Sequence, residues 1–277
     1  GDTAFDSLAT KLNTESIVGT SETHDGPRHA TLWDLLTKVP RDLGTLRADD
    51  SRSSAQDINV AGSVVGWSSD GETTRPFLWT PSSVMEDLGT LGGGSARANS
   101  INGKEQVVGS SDITTGRTHA FLWTRGGTGG VPTNPQMEDL GTLGSDLISI
   151  ATCLDNYGRV FGASRANDTA PPRAFISHLP PISWVSGPLG VPIPTLPANT
   201  SRVMDDLNDY IPSSSGWTLR TVTGTNGDGQ IVGWGEYYGA VRAFRLTPIP
   251  ATSRVVVAQV THVISRAIFA AGAAIVF

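Results

Sequence analysis

The 277-residue chain contains 32 glycines and 17 prolines, and only 17% of its residues are charged. This composition predicts many turns and few long polar helices. The formal net charge of −6, without a cluster of Lys or Arg, argues against nucleic-acid binding, which needs a basic surface. The single cysteine, Cys153, excludes an internal disulfide and a Cys-x-x-Cys site. We expect Cys153 to be a small buried core residue.

Four short signals recur along the chain in a fixed order, which indicates one structural unit copied several times. The first is an Asn or Asp that starts a tight turn, at Asn13, Asn59, Asn102, Asp155 and Asn226. The second is an apolar pair followed by glycine, at Gly19, Gly66, Gly109, Gly162 and Gly233. The third is an apolar strand that usually carries an aromatic residue, at His29–Trp33, Arg75–Trp79, His119–Trp123, Arg173–Ile176 and Arg242–Leu246. The fourth is Asp-Leu, at Asp42, Asp87, Asp139 and Asp206.

Each unit is predicted to contain four short strands, because the apolar runs are β-rich and too short for helices. Five such units predict an all-β fold, a five-bladed β-propeller of four-stranded blades over residues 1–250. A β-solenoid or a β-sandwich is the alternative. The proline-rich stretch 180–197 is interpreted as an insertion in the fourth unit, and a degenerate sixth blade is the other possibility. The glycine of the second signal predicts a bulge or a close backbone approach.

Several of these motifs resemble a known family. The sequences HAFLWT (His119–Thr124), DLGTLGG (Asp87–Gly93), IVGWGE (Ile231–Glu236) and RAFRLTP (Arg242–Pro248) are similar to those of the HAF-repeat family of bacterial extracellular repeat proteins. The resemblance covers roughly residues 8–250. It implies secretion, and therefore an extracellular or cell-surface location with the signal peptide removed. It implies little about chemistry.

The fifth unit ends at its third strand, and no Asp-Leu signal follows it. An open sheet edge recruits other strands, and the next segment, residues 251–277, is an apolar tail that is mostly β-branched over 255–264. The tail is expected to fold back as the missing strand or to pair with a neighbouring molecule. A membrane anchor is disfavoured, because a spanning helix needs about 20 apolar residues and His262 and Arg266 interrupt this one.

Strand donation by the tail predicts a head-to-tail contact between copies of the chain, and such contacts give rings or filaments. The predicted function is therefore a secreted structural protein, a filament subunit whose partner is itself. The apolar residues of the tail form the predicted assembly interface: Val255, Val256, Val257, Val260, Ile264, Ile268 and Phe269.

Catalytic and metal-binding signals are weak in this sequence. The five histidines show no HExxH or other metal-ligand spacing. His29 and His119 occupy a repeat position that carries Arg in other units, which favours a structural contact, since arginine does not bind metals. The repeated Asp residues are expected to be turn caps, because a catalytic carboxylate pair needs two distinct environments. We predict no enzyme activity, no metal and no cofactor.

The alternative function is glycan binding, because aromatic faces stack on sugars. Trp33, Trp79 and Trp123 lie in the apolar third strand, so they are expected in the core. Trp67 and Trp234 follow the glycine of the second signal and form the candidate glycan-binding surface.

Overall fold

The computed structural model describes residues 6–24, 26–179, 183–186, 192–195, 202–226, 229–247 and 259–262. These residues form an all-β structure of antiparallel sheets, which confirms the all-β part of the predicted fold. The only helical elements among them are two short 3-10 helices, Leu207–Tyr210 and Ser213–Ser215. Both lie between the fourth and the fifth sheet in sequence.

Among the described residues, five antiparallel sheets contain four strands each, and in every sheet the strands pair in sequence order. The first sheet contains β1 (Ser7–Leu12), β2 (Ser16–Glu22), β3 (Arg28–Asp34) and β4 (Pro40–Gly44). The second contains β5 (Arg52–Ile58), β6 (Val64–Ser69), β7 (Thr74–Trp79) and β8 (Glu86–Asp87). The third contains β9 (Gly92–Ile101), β10 (Val107–Ile113), β11 (Thr118–Trp123) and β12 (Met137–Asp139).

The fourth unit carries an insertion between its third and fourth strands. Its sheet contains β13 (Ile148–Leu154), β14 (Val160–Arg165), β15 (Arg173–His178) and β18 (Val203–Asp206). The insertion holds a separate two-stranded sheet, β16 (Ser183–Ser186) with β17 (Pro192–Thr195). The fifth sheet contains β19 (Trp217–Thr225), β20 (Ile231–Tyr237), β21 (Ala240–Thr247) and β22 (Gln259–His262).

In the part of the chain that the structure describes, four hydrophobic clusters join the five sheets, one between each successive pair. Between the second and third sheets, for example, Val65 and Leu78 pack against Phe121 and Trp123. The corresponding clusters join sheets one and two, three and four, and four and five. Sheets two to four therefore each have two apolar faces, one toward the sheet before and one toward the sheet after. Cys153 lies in the last of these clusters, and burial raises the pKa of its thiol to about 12, so its predicted core position is confirmed.

The glycine of the second signal lies where two strands approach closely. At Gly66, a Cβ would overlap the carbonyl oxygen of Ser54 in the neighbouring strand. The first strand is bulged beside it, where the register shifts between Ala55 and Asp57. The same overlap recurs at the four equivalent glycines, Gly19, Gly109, Gly162 and Gly233. The sequence prediction of a bulge or a close approach is confirmed, because both occur together.

Candidate functional site: repeat contacts and terminal faces

The repeated Asp residues are turn caps, as the sequence predicted. The Asp139 Oδ1 atom accepts a hydrogen bond of 2.8 Å from the Gly141 amide, and Gly141 has a positive φ of 67°. Asp42, Asp87 and Asp206 cap the equivalent turns with bonds of 2.7 to 2.9 Å. Asp42, Asp87 and Asp139 therefore each fix a sharp bend at the end of a fourth strand, where a left-handed glycine is needed. Asp206 instead caps the 3-10 helix Leu207–Tyr210.

At the repeat position that carries His in some units and Arg in others, the side chains of His119 and Arg173 contact the carboxylate of the capping Asp. The His119 Nδ1 atom lies 2.9 Å from the carboxylate of Asp139, and Arg173 makes the equivalent contact of 2.9 Å with Asp206. Burial raises the pKa of Asp139, but the bonds from His119 and Gly141 outweigh it and hold this pKa below its usual value. These contacts are structural. No group of three or more possible metal ligands is present in the ranges that the structure describes.

The depression beside Asp139 holds an ion pair. It is lined by Glu138, Arg202 and the turn at Gly129–Val131, and the Arg202 guanidinium lies 3.4 Å from the carboxylate of Glu138. Burial raises the pKa of Glu138, while Arg202 acts in the opposite direction. Because Arg202 engages Glu138 and a turn amide engages Asp139, the two carboxylates are held by structural contacts.

An Asn ladder, which sequence reasoning missed, links the hairpins between the first and second strands. Asn13 Nδ2 donates to the Asn59 carbonyl (2.8 Å), and Asn59 Nδ2 donates to the Asn102 carbonyl (3.1 Å). Asn102 Nδ2 then donates to the Asp155 carbonyl (3.0 Å). Asp155 has no amide to continue the ladder, and its Oδ2 accepts a 2.6 Å bond from Arg159. The sequence shows the repeated Asn, but the backbone carbonyl that each Asn side chain bonds lies in the next unit.

Side chains at the bulges form a second ladder between first strands. Thr10 Oγ1 donates to the Ala55 carbonyl (2.8 Å), and Thr152 Oγ1 donates to the Val222 carbonyl (2.6 Å). Asn99 makes the equivalent 2.8 Å bond to Ala151. At three of the four junctions, one sheet therefore offers a side-chain donor and the first strand of the next sheet offers a carbonyl acceptor. In the second sheet, Gln56 Nε2 donates to Ser54 in its own strand instead.

The leading face of the first sheet, which we define as Ser7, Leu8, Ala9 and Leu12, lacks a preceding sheet among the described residues. Leu12 is 57% exposed, whereas the equivalent Ile58 is 5% exposed. Ala9 is exposed, whereas its equivalents in sheets two to four are fully buried. A contiguous exposed face built from residues that are buried at the equivalent positions of other sheets is unusual in a monomeric protein.

The trailing face of the fifth sheet, which we define as Thr223, Val232, Trp234 and Ala243, is exposed in the same way. Ala243 is exposed, whereas the equivalent Ala120 and Ala174 are fully buried. Trp234 is 38% exposed. Within the described ranges, neither terminal face is thus covered by another sheet.

The two candidate glycan residues occupy equivalent places in sheets two and five, and the structure does not bring them together. Trp67 is half-buried, and the Arg97 guanidinium lies 4.8 Å from the centroid of its ring. A sugar would have to displace this cation–π contact. Trp234 is the more accessible of the two. Trp79 and Trp123 are buried, as predicted, and Trp33 is half-buried.

The fifth sheet takes its fourth strand from the tail. β22 pairs with β21 in the same chain, with Val260 opposite Leu246. This is the fold-back arrangement, and donation to a second copy stays a prediction. The other predicted interface residues lie outside the described part of the chain: Val255, Val256, Val257, Ile264, Ile268 and Phe269. Within the described residues, no helix combines the length and apolar character that a membrane crossing requires.

No protein-family model matches this chain, and no curated protein matches it. Among solved structures, it is similar to the crystal structure of TolB from Acinetobacter baumannii, with a TM-score of 0.49 and 12% sequence identity over 88% of this chain. The match covers 52% of the TolB chain, so this chain spans about half the length of that protein. Membership of the HAF-repeat family stays a prediction.

Proposed function

We propose that the five sheets are the blades of a β-propeller-type array and that the protein is a secreted, non-enzymatic filament subunit. Copies assemble head to tail when the C-terminal strand β22 of one copy pairs with β21 of the next. The extracellular location rests on the resemblance of the repeats to an extracellular family. The structural role fits the repeated Asp residues, which cap turns.

Strand donation is supported by the segment of the chain that supplies the fourth strand of the fifth sheet. In the other four sheets, the fourth strand comes from the segment that leads to the next unit. In the fifth sheet it is β22, joined to β21 through residues 248–258. A connection of this length spans up to about 40 Å when extended, so β22 can reach β21 of its own chain or of a neighbour. Exchange of such an element between copies is a low-cost route to assembly.

Deleting residues 251–277 is expected to abolish filaments, because the donated strand is lost. Electron microscopy of the full chain and the deletion variant measures this, and circular dichroism checks that the variant keeps its β-structure. A synthetic peptide of residues 255–264 should shorten filaments of the full chain, since it caps open β21 edges. Unchanged filaments after the deletion would contradict strand donation, as would a full chain that forms no filaments.

Glycan binding is the second candidate, and the exposure of Trp234 favours it. Trp234→Ala is expected to abolish binding on a glycan array, because the ring supplies the stacking surface. Trp67→Ala is the matched control, since Arg97 covers its ring, and it should retain binding. A Trp234→Ala variant that binds as the unmodified chain does would end this hypothesis.

A further inference from the structure

We propose that the leading face of the first sheet binds the trailing face of the fifth sheet in a second copy of this chain. The inference rests on the proposed head-to-tail assembly, and it names a second contact surface that strand donation does not use. Both faces carry unused halves of contacts that the chain already makes between its own sheets.

The first half-contact is aromatic. In the interior of the array, Trp67 of the second sheet is covered by Arg97 of the third. Trp234 occupies the position of Trp67 in the fifth sheet, because each follows the repeat glycine. Leu8 occupies the position of Arg97, since each pairs with the residue after that glycine. Leu8 is 63% exposed and Trp234 is 38% exposed, so Leu8 of one copy can cover Trp234 of another.

The second half-contact is a hydrogen bond at the bulge. Thr10 and Thr152 each donate both to their own sheet and to the first strand of the next sheet. Thr223 is the equivalent residue of the fifth sheet, and the one bond described for it is a 3.4 Å bond to Val232 in its own sheet. The carbonyl that the repeat would place beside Thr223 is that of Ala9, on the leading face.

The third half-contact joins an amide and a serine. The Ser149 hydroxyl accepts a 2.8 Å bond from the Ala120 amide of the preceding sheet, and Ser53 accepts the same bond from Ala30. Ser7 is the equivalent serine of the first sheet, because it pairs with Ser21 as Ser53 pairs with Ser68. Ser7 is exposed, and the amide that the repeat would bring to it is that of Ala243.

The occupant is a second copy because one molecule exposes both faces simultaneously. If the fifth sheet of a chain closed onto its own first sheet, Leu12 and Ala243 would be buried like their equivalents, and Leu8 would cover Trp234 of its own chain. A contact between two different surfaces is heterologous, and it propagates head to tail.

The test uses full-length chains with one face blocked. Leu8→Lys blocks the leading face and Ala243→Glu blocks the trailing face, and both sites are exposed, so folding should be unaffected. Leu36→Lys and Val60→Glu are the matched controls, since these turn residues are 91% and 84% exposed and lie on neither face. Sedimentation velocity measures the mass of each variant alone and of the two blocked variants mixed.

Each blocked variant alone is expected to be monomeric, and the controls are expected to assemble like the unmodified chain. An equimolar mixture of the blocked variants should form dimers that stop at two, because each supplies the intact face that the other lacks. A monomeric unmodified chain, blocked variants that assemble normally, or a mixture that stays monomeric would overturn the proposal.

The tail deletion separates the two proposals. Strand donation fails if the deletion variant assembles normally while the blocked variants do not. The face contact fails if the blocked variants assemble normally while the deletion variant does not.

Discussion

Gly109→Ala is expected to destabilise the chain by about 3 kcal/mol or to prevent folding, since overpacking against backbone cannot be relieved by a rotamer change. The added Cβ would overlap the Arg97 carbonyl oxygen and lie 3.0 Å from the Ala98 Cα. Both atoms belong to the bulged first strand of the third sheet, in the middle of the array. Relief would require β9 and β10 to separate, which breaks their ladder.

Gly94→Ala is the matched control, because Gly94 lies in the same strand, β9, and a Cβ there meets no heavy atom within 4 Å. It should change stability little, or raise it slightly by restricting the unfolded chain. Urea denaturation of the two variants measures the difference. Equal midpoints would mean that the close approach at Gly109 can be relaxed at no cost.

Asn102→Ala is expected to cost about 3 kcal/mol, since the side chain satisfies three backbone groups and each bond contributes about 1 kcal/mol. Asn102 Nδ2 donates to the Asp155 carbonyl, and Oδ1 accepts from the amides of Lys104 and Gln106. Asn102 is 5% exposed, so water cannot readily replace these bonds. Thermal denaturation followed by circular dichroism measures the loss.

The variant Asn102→Asp separates the contribution of the turn cap from that of the hydrogen bond to the next sheet. The aspartate keeps the turn cap through Oδ1 but loses the donor that bonds the next sheet, so the loss should be smaller than for alanine. Asp155 shows how the chain itself accommodates this residue, with Arg159 at 2.6 Å from its carboxylate. Adding Gln106→Arg, which copies that arrangement, should therefore recover part of the stability. An aspartate variant as unstable as the alanine variant would contradict a separate contribution from the ladder.

Residues that recur at equivalent positions of the repeat predicted the contacts that each unit makes within itself. The glycine at Gly66 and the cap at Asp139 were both foreseen, because close approach and left-handed turns restrict the residue type locally. The bonds of Asn59 and Thr152 to the next sheet were not foreseen. Their acceptors are backbone carbonyls, which leave no trace in the sequence.

The terminal faces could not be predicted for a different reason. Leu12 and Ile58 are similar residues at equivalent positions, yet one is exposed and the other is buried. The difference depends only on whether another sheet precedes the residue in space. Similarly, Trp67 and Trp234 follow the same repeat glycine, and only the structure shows that Arg97 covers one of them. Exposure here depends on the number of neighbouring sheets, and the residue type does not determine it.

The four intersheet clusters have a consequence for how this architecture can change in length. Every described cluster involves one sheet and its immediate neighbour, so stability is a sum over adjacent pairs. Duplicating or removing one whole unit would recreate interfaces of the same kind and would leave the ends unchanged. Duplication of only part of a unit would instead interrupt both the Asn ladder between the hairpins and the ladder of side-chain bonds at the bulges. We therefore expect the fold to tolerate insertion or deletion of complete units, and gene duplications or deletions whose ends match the unit boundaries should preserve it.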